Sequence, residues 1–434
     1  MTRLGYGEVM RRWRIERQKQ MEMIINARPN SATHITAGSK AEGLTSLLQG
    51  DWDWLVQLKG VLCVEDGINL HTIPENTDVF RMDTSVYPGY CRLLQEGPAQ
   101  KHRIELRNAL FDNGNGDILL SSSLYLGTYA ETVSKLIKQF TPLPLANHAP
   151  AGPALPMTMG GILHMDIVPS LRCHCPSILQ RWAVRPRHWP PPLIVQKVIS
   201  LESNVTPVGF KESENKHLEW RLCFNSGETE LIKNLNETQA KVYVMLKMIL
   251  KEILKPKNKE ITSYLLKNII LWQAENNPQT EFHARSFIHW LQDGLKELRT
   301  AIETKQQRYY MIPERNLMAA CNLEGALQDK WVADITDLEE EGPSVILRLP
   351  KIRKAIIASP EPMLWFSCKR MELEMLSIEY IKRGLQCTDE NKEVDESDFI
   401  FNAIRTRMQE RFTEVRERMH REGSSLQNLT EMFT

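Results

Sequence analysis

The chain has 434 residues, with 54 Lys and Arg balanced by 54 Asp and Glu, so its formal charge is zero and no global basic field announces nucleic acid. That length buries a large core and suits two lobes, and a mixed α/β protein is expected. No apolar run reaches the roughly 18 residues that span a bilayer and no signal peptide precedes the Arg-rich start; the eight irregularly spaced cysteines suit a reducing, cytoplasmic compartment.

Residues from about 8 to 28 place Val9, Trp13, Ile24 and Ile25 among charges and predict a long amphipathic helix. Its Arg11, Arg12, Arg14, Arg17 and Lys19 form a first basic cluster, which reads either as a solvated helix face or as a surface that tracks duplex phosphates. Next, Ala37-Gly38-Ser39-Lys40 predicts a small-residue turn opening a short helix, where backbone N–H groups and the Ser39 hydroxyl can cradle phosphate. Asp51-Trp52-Asp53-Trp54 alternates with period two, so a strand here sets both carboxylates on one face and both indoles on the other. Paired acids repel unless a cation lies between them.

Strands and turns are expected from about 50 to 128, including Val61–Val64 and Ile118–Leu120, then a helix over Leu124–Phe140 and a Pro- and Ala-rich loop from Thr141 to Pro156. Asp166 follows in the apolar stretch Gly160–Pro169, where burial without a partner would cost several kcal/mol. It is either a structural partner of Arg172 or of a backbone turn, or a third carboxylate beside Asp51 and Asp53, their strands adjacent and the three sharing one or two Mg2+ (or Mn2+) ions. Zinc held by Cys173, His174 and Cys175 with His164 is disfavoured, because neighbours on an extended segment point to opposite sides.

Pro186–Pro192 breaks the chain and reads as a passage between lobes. Helical spacing follows in Tyr243–Leu254, Thr262–Ala274 and Phe282–Ile302, with a second basic cluster at Lys247, Lys251, Lys255, Lys257 and Lys259. Beyond residue 330 lies a charged helical extension, broken near Asp389–Glu393, with mixed charges from Asn402 to Met419 and no evident function. The sequons at Asn204, Asn236 and Asn428 read as chance matches.

The order of these motifs resembles the cyclic GMP-AMP synthase-like receptors of the male-abnormal (Mab) nucleotidyltransferase family. The likeness spans roughly residues 5 to 320: Gly38-Ser39 with Glu42-Gly43-Leu44, Asp51-Trp52-Asp53, Asp166–Pro169, Trp182 with Arg187–Pro190, His217–Phe224, the helix around Lys247, Ser263-Tyr264, Leu271–Gln273 and Ile312–Leu317. It implies an α+β bilobal nucleotidyltransferase, with a mixed-sheet N-lobe crossed by a long spine helix and a helical C-lobe. The boundaries expected are 1–195 for the core lobe, 196–330 for the C-lobe and 331–434 for the extension.

The implied activity joins two nucleoside triphosphates into a cyclic dinucleotide, in innate immune sensing, once a foreign ligand binds. Catalytic metal would be held by Asp51, Asp53 and Asp166; Gly38 and Ser39 would hold the donor triphosphate, and Arg221, Lys247, Ser263 and Tyr264 would face the nucleotides. Read from spacing alone, Tyr264 is first a core aromatic, Lys247 a solvated face and Arg221 a salt-bridge donor, and only the resemblance reverses that preference. DNA-sensing members carry a zinc ribbon after the strand matching Trp220–Phe224; this chain has only Cys223 there, which favours double-stranded RNA over DNA as the activating ligand. Ligand binding along the N-terminal helix is expected to reorder the Gly43–Gly50 loop that leads to Asp51. Two other function classes stay open: a catalytically inactive nucleotide-binding or interaction scaffold, and a linear tailing polymerase on RNA ends.

Overall fold

A computed structural model describes residues 1–28, 31–47, 49–96, 104–114, 116–140 (the backbone alone from 134), 145–161, 163–255, 261–321, 323, 325–358, 360–388 and 393–423. It divides into two compact units, each assembled from separated stretches: 1–57, 130–168 and 355–434 in the first, 58–129 and 169–354 in the second. This division differs from contiguous segments of 1–195, 196–330 and 331–434.

In the first unit the predicted spine is a helix over Glu8–Ala27. The strand Ala32–Ala37 follows and runs directly into a short helix, Gly38–Ala41. The predicted acid strand starts at Trp52 and continues to Glu65, leaving Asp51 just ahead of it. The two indoles share a face as the alternation requires, stacked with ring centroids 6.5 Å apart. The strand Leu163–His174 carries Asp166 and pairs antiparallel with Leu155–Met159, which in turn pairs with Leu145–Asn147; the loop expected over Thr141–Pro156 therefore contains strand. The acid strand and the Asp166 strand are themselves hydrogen-bonded neighbours, as the sequence reading required.

Two long helices complete this unit: Pro360–Gln386 and Phe399–Arg421. The first packs on the spine helix. Met21 of the spine, Leu47, Trp52 and Ile378 form one buried apolar cluster, with Trp13, Trp54, Met165, Ile381 and Leu385 packed around it. The back of the acid strand is thus built partly by the C-terminal extension. The expected break at Asp389–Glu393 lies almost wholly outside the described residues.

In the second unit, strands Asp78–Asp83, Tyr90–Glu96, Glu219–Cys223 and Ser203–Thr206 continue a mixed sheet, with the parallel pair Val61–Glu65 and Asp78–Met82 at one side. Trp220 is fully buried and its indole N–H donates to the Leu120 carbonyl at 2.7 Å, which satisfies the one polar atom of a large apolar side chain. Helices Glu237–Met248, Ser263–Asn276 and Phe287–Thr304 pack together, matching the predicted helical block. A capping box starts the first of them: the Asn236 side chain accepts from the Gln239 N–H while Gln239 accepts from the Asn236 N–H, both at 2.9 Å.

Candidate functional site

The centre of the candidate site is the contact between Gly38 and Asp53. Gly38 adopts a φ of +64°, the left-handed region, and a Cβ placed on it would lie 1.8 Å from Asp53 Oδ2. Only glycine lets the backbone of the Gly38-Ser39 turn approach that carboxylate so closely. The turn and the acid-bearing strand, fifteen residues apart in sequence, are therefore in direct contact.

Asp53 is half-buried and Asp51 is exposed, so the pair opens to solvent on one side. Lys40, two residues beyond Gly38, is buried at 5 % exposure. Burial pushes its ammonium down to about 7, against the opposing pull of Glu374 and, more weakly, of Asp51 and Asp53. Its Nζ donates to the Ser46 carbonyl, to the Leu47 carbonyl at 2.7 Å and to the Gln49 carbonyl at 3.0 Å, which uses all three ammonium donors. Lys40 also sits 5.7 Å from the Trp52 ring centroid. It ties the loop between the Gly38-Ser39 turn and Asp51 to the helix that carries Ser39. Sequence reasoning missed this role, because a lysine after Gly-Ser carries no sign of whether it faces water or carbonyls.

Asp166 is half-buried, at the less enclosed start of its strand, where it lies opposite Pro156. The apolar run becomes enclosed only from Ile167 onward, so Asp166 escapes the cost of full burial. Arg172, the alternative structural partner, pairs with Glu202 at 3.2 Å. Among the described residues no three His, Cys, Asp or Glu side chains come together as a group able to hold a metal ion. The donor types nonetheless suit Mg2+, which takes oxygen ligands, keeps several waters and relies on substrate phosphates for the rest of its shell. Asp53 presents one such oxygen against the Gly38 backbone.

The second group of expected residues lies in the other unit. Arg221 is half-buried on the strand Glu219–Cys223, opposite Thr206 and Tyr90. Lys247, in the last turn of Glu237–Met248, lies 5.2 Å from the Tyr243 ring. Ser263 is exposed at the first position of the helix Ser263–Asn276. Tyr264 is half-buried, its hydroxyl donates to Glu228 Oε1 at 2.8 Å, and Tyr309 donates to the same oxygen at 2.7 Å. Burial, reinforced by Glu228, raises the Tyr264 phenol above its ordinary range, so it stays protonated and donates. Glu228 is thus the residue that fixes the Tyr264 ring.

The N-terminal basic cluster is split between buried and exposed members, with Arg12 and Lys19 exposed on the helix. Arg11 and Arg14 are buried, Arg14 against Glu374; Arg17 pairs with Glu379 at 2.7 Å and Arg12 with Glu8 at 2.6 Å. Of the second cluster, Lys251 and Lys255 are exposed, while Lys257 and Lys259 fall outside the described residues. No helix among the described residues is long and apolar enough to cross a membrane, and all eight cysteines are free.

Comparison with protein-family models gives two adjoining matches. Residues 68–234 match the Mab-21 protein nucleotidyltransferase domain, and residues 238–331 match the Mab-21 protein HhH/H2TH-like domain. The first match starts downstream of Gly38, Ser39, Asp51 and Asp53, and neither reaches the helix that carries Glu374. Together they cover more than half of the chain, in the order the motifs required, and the protein belongs to the Mab-21 family of nucleotidyltransferase-like proteins.

Proposed function

We propose that the protein is a ligand-activated nucleotidyltransferase that makes a cyclic dinucleotide second messenger from ATP- and GTP-type nucleotides, in innate immune sensing. The observation that carries this reading is the Gly38–Asp53 contact, a glycine turn held against a half-buried carboxylate. In the reaction the hydroxyl of an acceptor nucleotide attacks the α-phosphate of a donor triphosphate, pyrophosphate leaves, and a second such step closes the ring.

Gly38 and Ser39 bind the donor phosphates through backbone N–H and hydroxyl donors. Arg221, Lys247, Ser263 and Tyr264 orient the nucleotides, Tyr264 by stacking with its ring angle set by Glu228. Asp51, Asp53 and Asp166 would hold Mg2+ or Mn2+, which when bound supplies charge neutralisation at the phosphates and acidifies the attacking hydroxyl. The protein's own share is positioning. Double-stranded RNA is the activating ligand we favour over DNA, with Arg12, Lys19, Lys251 and Lys255 among the exposed basic residues open to it and with a cytoplasmic site of action.

The test is incubation of the pure protein with ATP, GTP and Mg2+ or Mn2+, with duplex RNA or duplex DNA added, read by nucleotide chromatography. A cyclic dinucleotide that Asp53→Asn abolishes supports the reading; no product with either duplex sinks it in this form. A second reading is favoured by one observation, that no ready group of three metal-ligating side chains stands among the described residues. It is the inactive nucleotide-binding scaffold, which predicts triphosphate binding with no turnover.

A further inference from the structure

The C-terminal extension reaches the loop ahead of Asp51 through one carboxylate. Glu374, on the helix Pro360–Gln386, is 2 % exposed. It accepts from Arg14 Nε at 2.7 Å and Nη2 at 2.8 Å, a bidentate pair between residues 360 positions apart. Its Oε1 also accepts from the Leu47 N–H at 3.2 Å. The Leu47 carbonyl accepts from Lys40 at 2.7 Å. The backbone of a single loop residue is therefore held on one side by a buried carboxylate and on the other by a buried ammonium.

Three further contacts converge on the same loop. The Leu47 side chain is buried against Met21, Trp52 and Ile378. Arg14 Nη1 donates to the Gly5 carbonyl at 2.7 Å and to the Gly43 carbonyl at 3.4 Å. Gly43 itself has φ +69°, and a Cβ there would lie 2.5 Å from the Arg11 carbonyl, so the loop starts pressed against the spine helix. A buried carboxylate that takes an arginine and a loop amide together is costly to leave half-satisfied, so the loop conformation and the docking of the C-terminal helix are coupled.

We propose that Glu374 is a positioning residue for the acid site: the helix Pro360–Gln386 fixes the Leu47–Asp51 segment, and thereby Asp51 and Asp53, by accepting from Arg14 and the Leu47 amide at once. The idea rests on the proposed nucleotidyltransferase activity for its kinetic consequence, but not for its structural one. It gives the extension beyond the two family domains a role in setting the acids, and it makes displacement of that helix a way to turn the site off.

Glu374→Ala alone would strand a buried guanidinium and could unfold the unit, so the informative variants are paired, in the full-length chain. Arg14→Met/Glu374→Met removes both charges and the Leu47 acceptor; Arg14→Met/Glu374→Gln removes the charges but leaves an oxygen for the Leu47 N–H. Amide hydrogen exchange of residues 44–50 is measured in both, beside far-UV circular dichroism and steady-state kinetics with ATP, GTP and Mg2+. The expected result is a folded Met/Met variant whose loop amides exchange at least about tenfold faster and whose kcat falls about a hundredfold, with KM within about threefold. The Met/Gln variant should recover most of both. Loop protection unchanged in the Met/Met variant overturns the proposal. If the wild-type protein makes no product, the activity reading fails by itself, and the exchange data still decide whether Glu374 holds the loop.

Discussion

Gly38→Ala is the sharpest probe of the candidate site, because it adds one carbon to the place Asp53 occupies. The new Cβ would stand 1.8 Å from Asp53 Oδ2 and 2.9 Å from Asp53 Cγ, whereas real Cβ contacts essentially never fall below 3.0 Å. The carboxylate oxygen must therefore retreat by about 1.2 Å or the turn must open by as much. Alanine at φ +64° adds about 1–2 kcal/mol of backbone strain, and forcing Asp53 off its rotamer adds about 0.5–1.5 kcal/mol. The unfolding free energy of the first unit should fall by about 2–3 kcal/mol, a loss that leaves a domain of this size folded.

The functional loss should be larger than the stability loss implies. A displacement of about 1 Å at a reacting centre costs about a hundredfold in rate, so kcat for dinucleotide formation should fall by at least that factor. Mn2+ affinity should weaken in parallel, read by isothermal titration, since Asp53 is an expected ligand. Urea denaturation followed by tryptophan fluorescence checks the stability term independently. A Gly38→Ala variant that turns over and binds Mn2+ like the wild type would refute the claim that turn and carboxylate form one site.

Two other outcomes follow from single features. Asn236→Ala removes the acceptor that caps the Gln239 N–H and should destabilise the second unit by about 1 kcal/mol in chemical denaturation, whereas Asn236→Ser should recover most of that. The Cys63, Cys91 and Cys173 thiols are held above their ordinary range by burial, while Cys368 is exposed. At pH 8 a thiol reagent should modify Cys368 within minutes and leave those three unreacted until urea is added, as peptide mass spectrometry would read; early labelling of Cys63 would contradict its enclosure.

Local pattern carried a large part of the molecule. Period-two alternation in Asp51–Trp54 put Trp52 and Trp54 on one face, and the stacked indoles follow directly from it. A glycine before serine, ahead of a short helix, marked a turn, and its left-handed φ is the conformation that residue type permits most cheaply. The spine helix and the helical block after residue 236 were readable because 3.6-residue spacing is a property of neighbours in sequence.

Which charges would be buried was decided only by the fold. Arg11, Arg14 and Lys40 look in sequence like solvated cations, and they are buried because carbonyls and carboxylates from elsewhere in the unit receive them: Glu42 for Arg11, Glu374 for Arg14, the Ser46–Gln49 loop for Lys40. Sequence pattern marked only a charged helical extension beyond residue 330 and said nothing of what the helix Pro360–Gln386 would cover. The enclosure of Glu374 depends on a partner 360 residues away, and no local rule reaches that far. The sequence by itself thus determined the turn and the strands that carry the candidate acids; the tertiary structure alone decided that the helix Pro360–Gln386 packs behind Trp52 and receives Arg14, because a charge is buried only where its partner arrives.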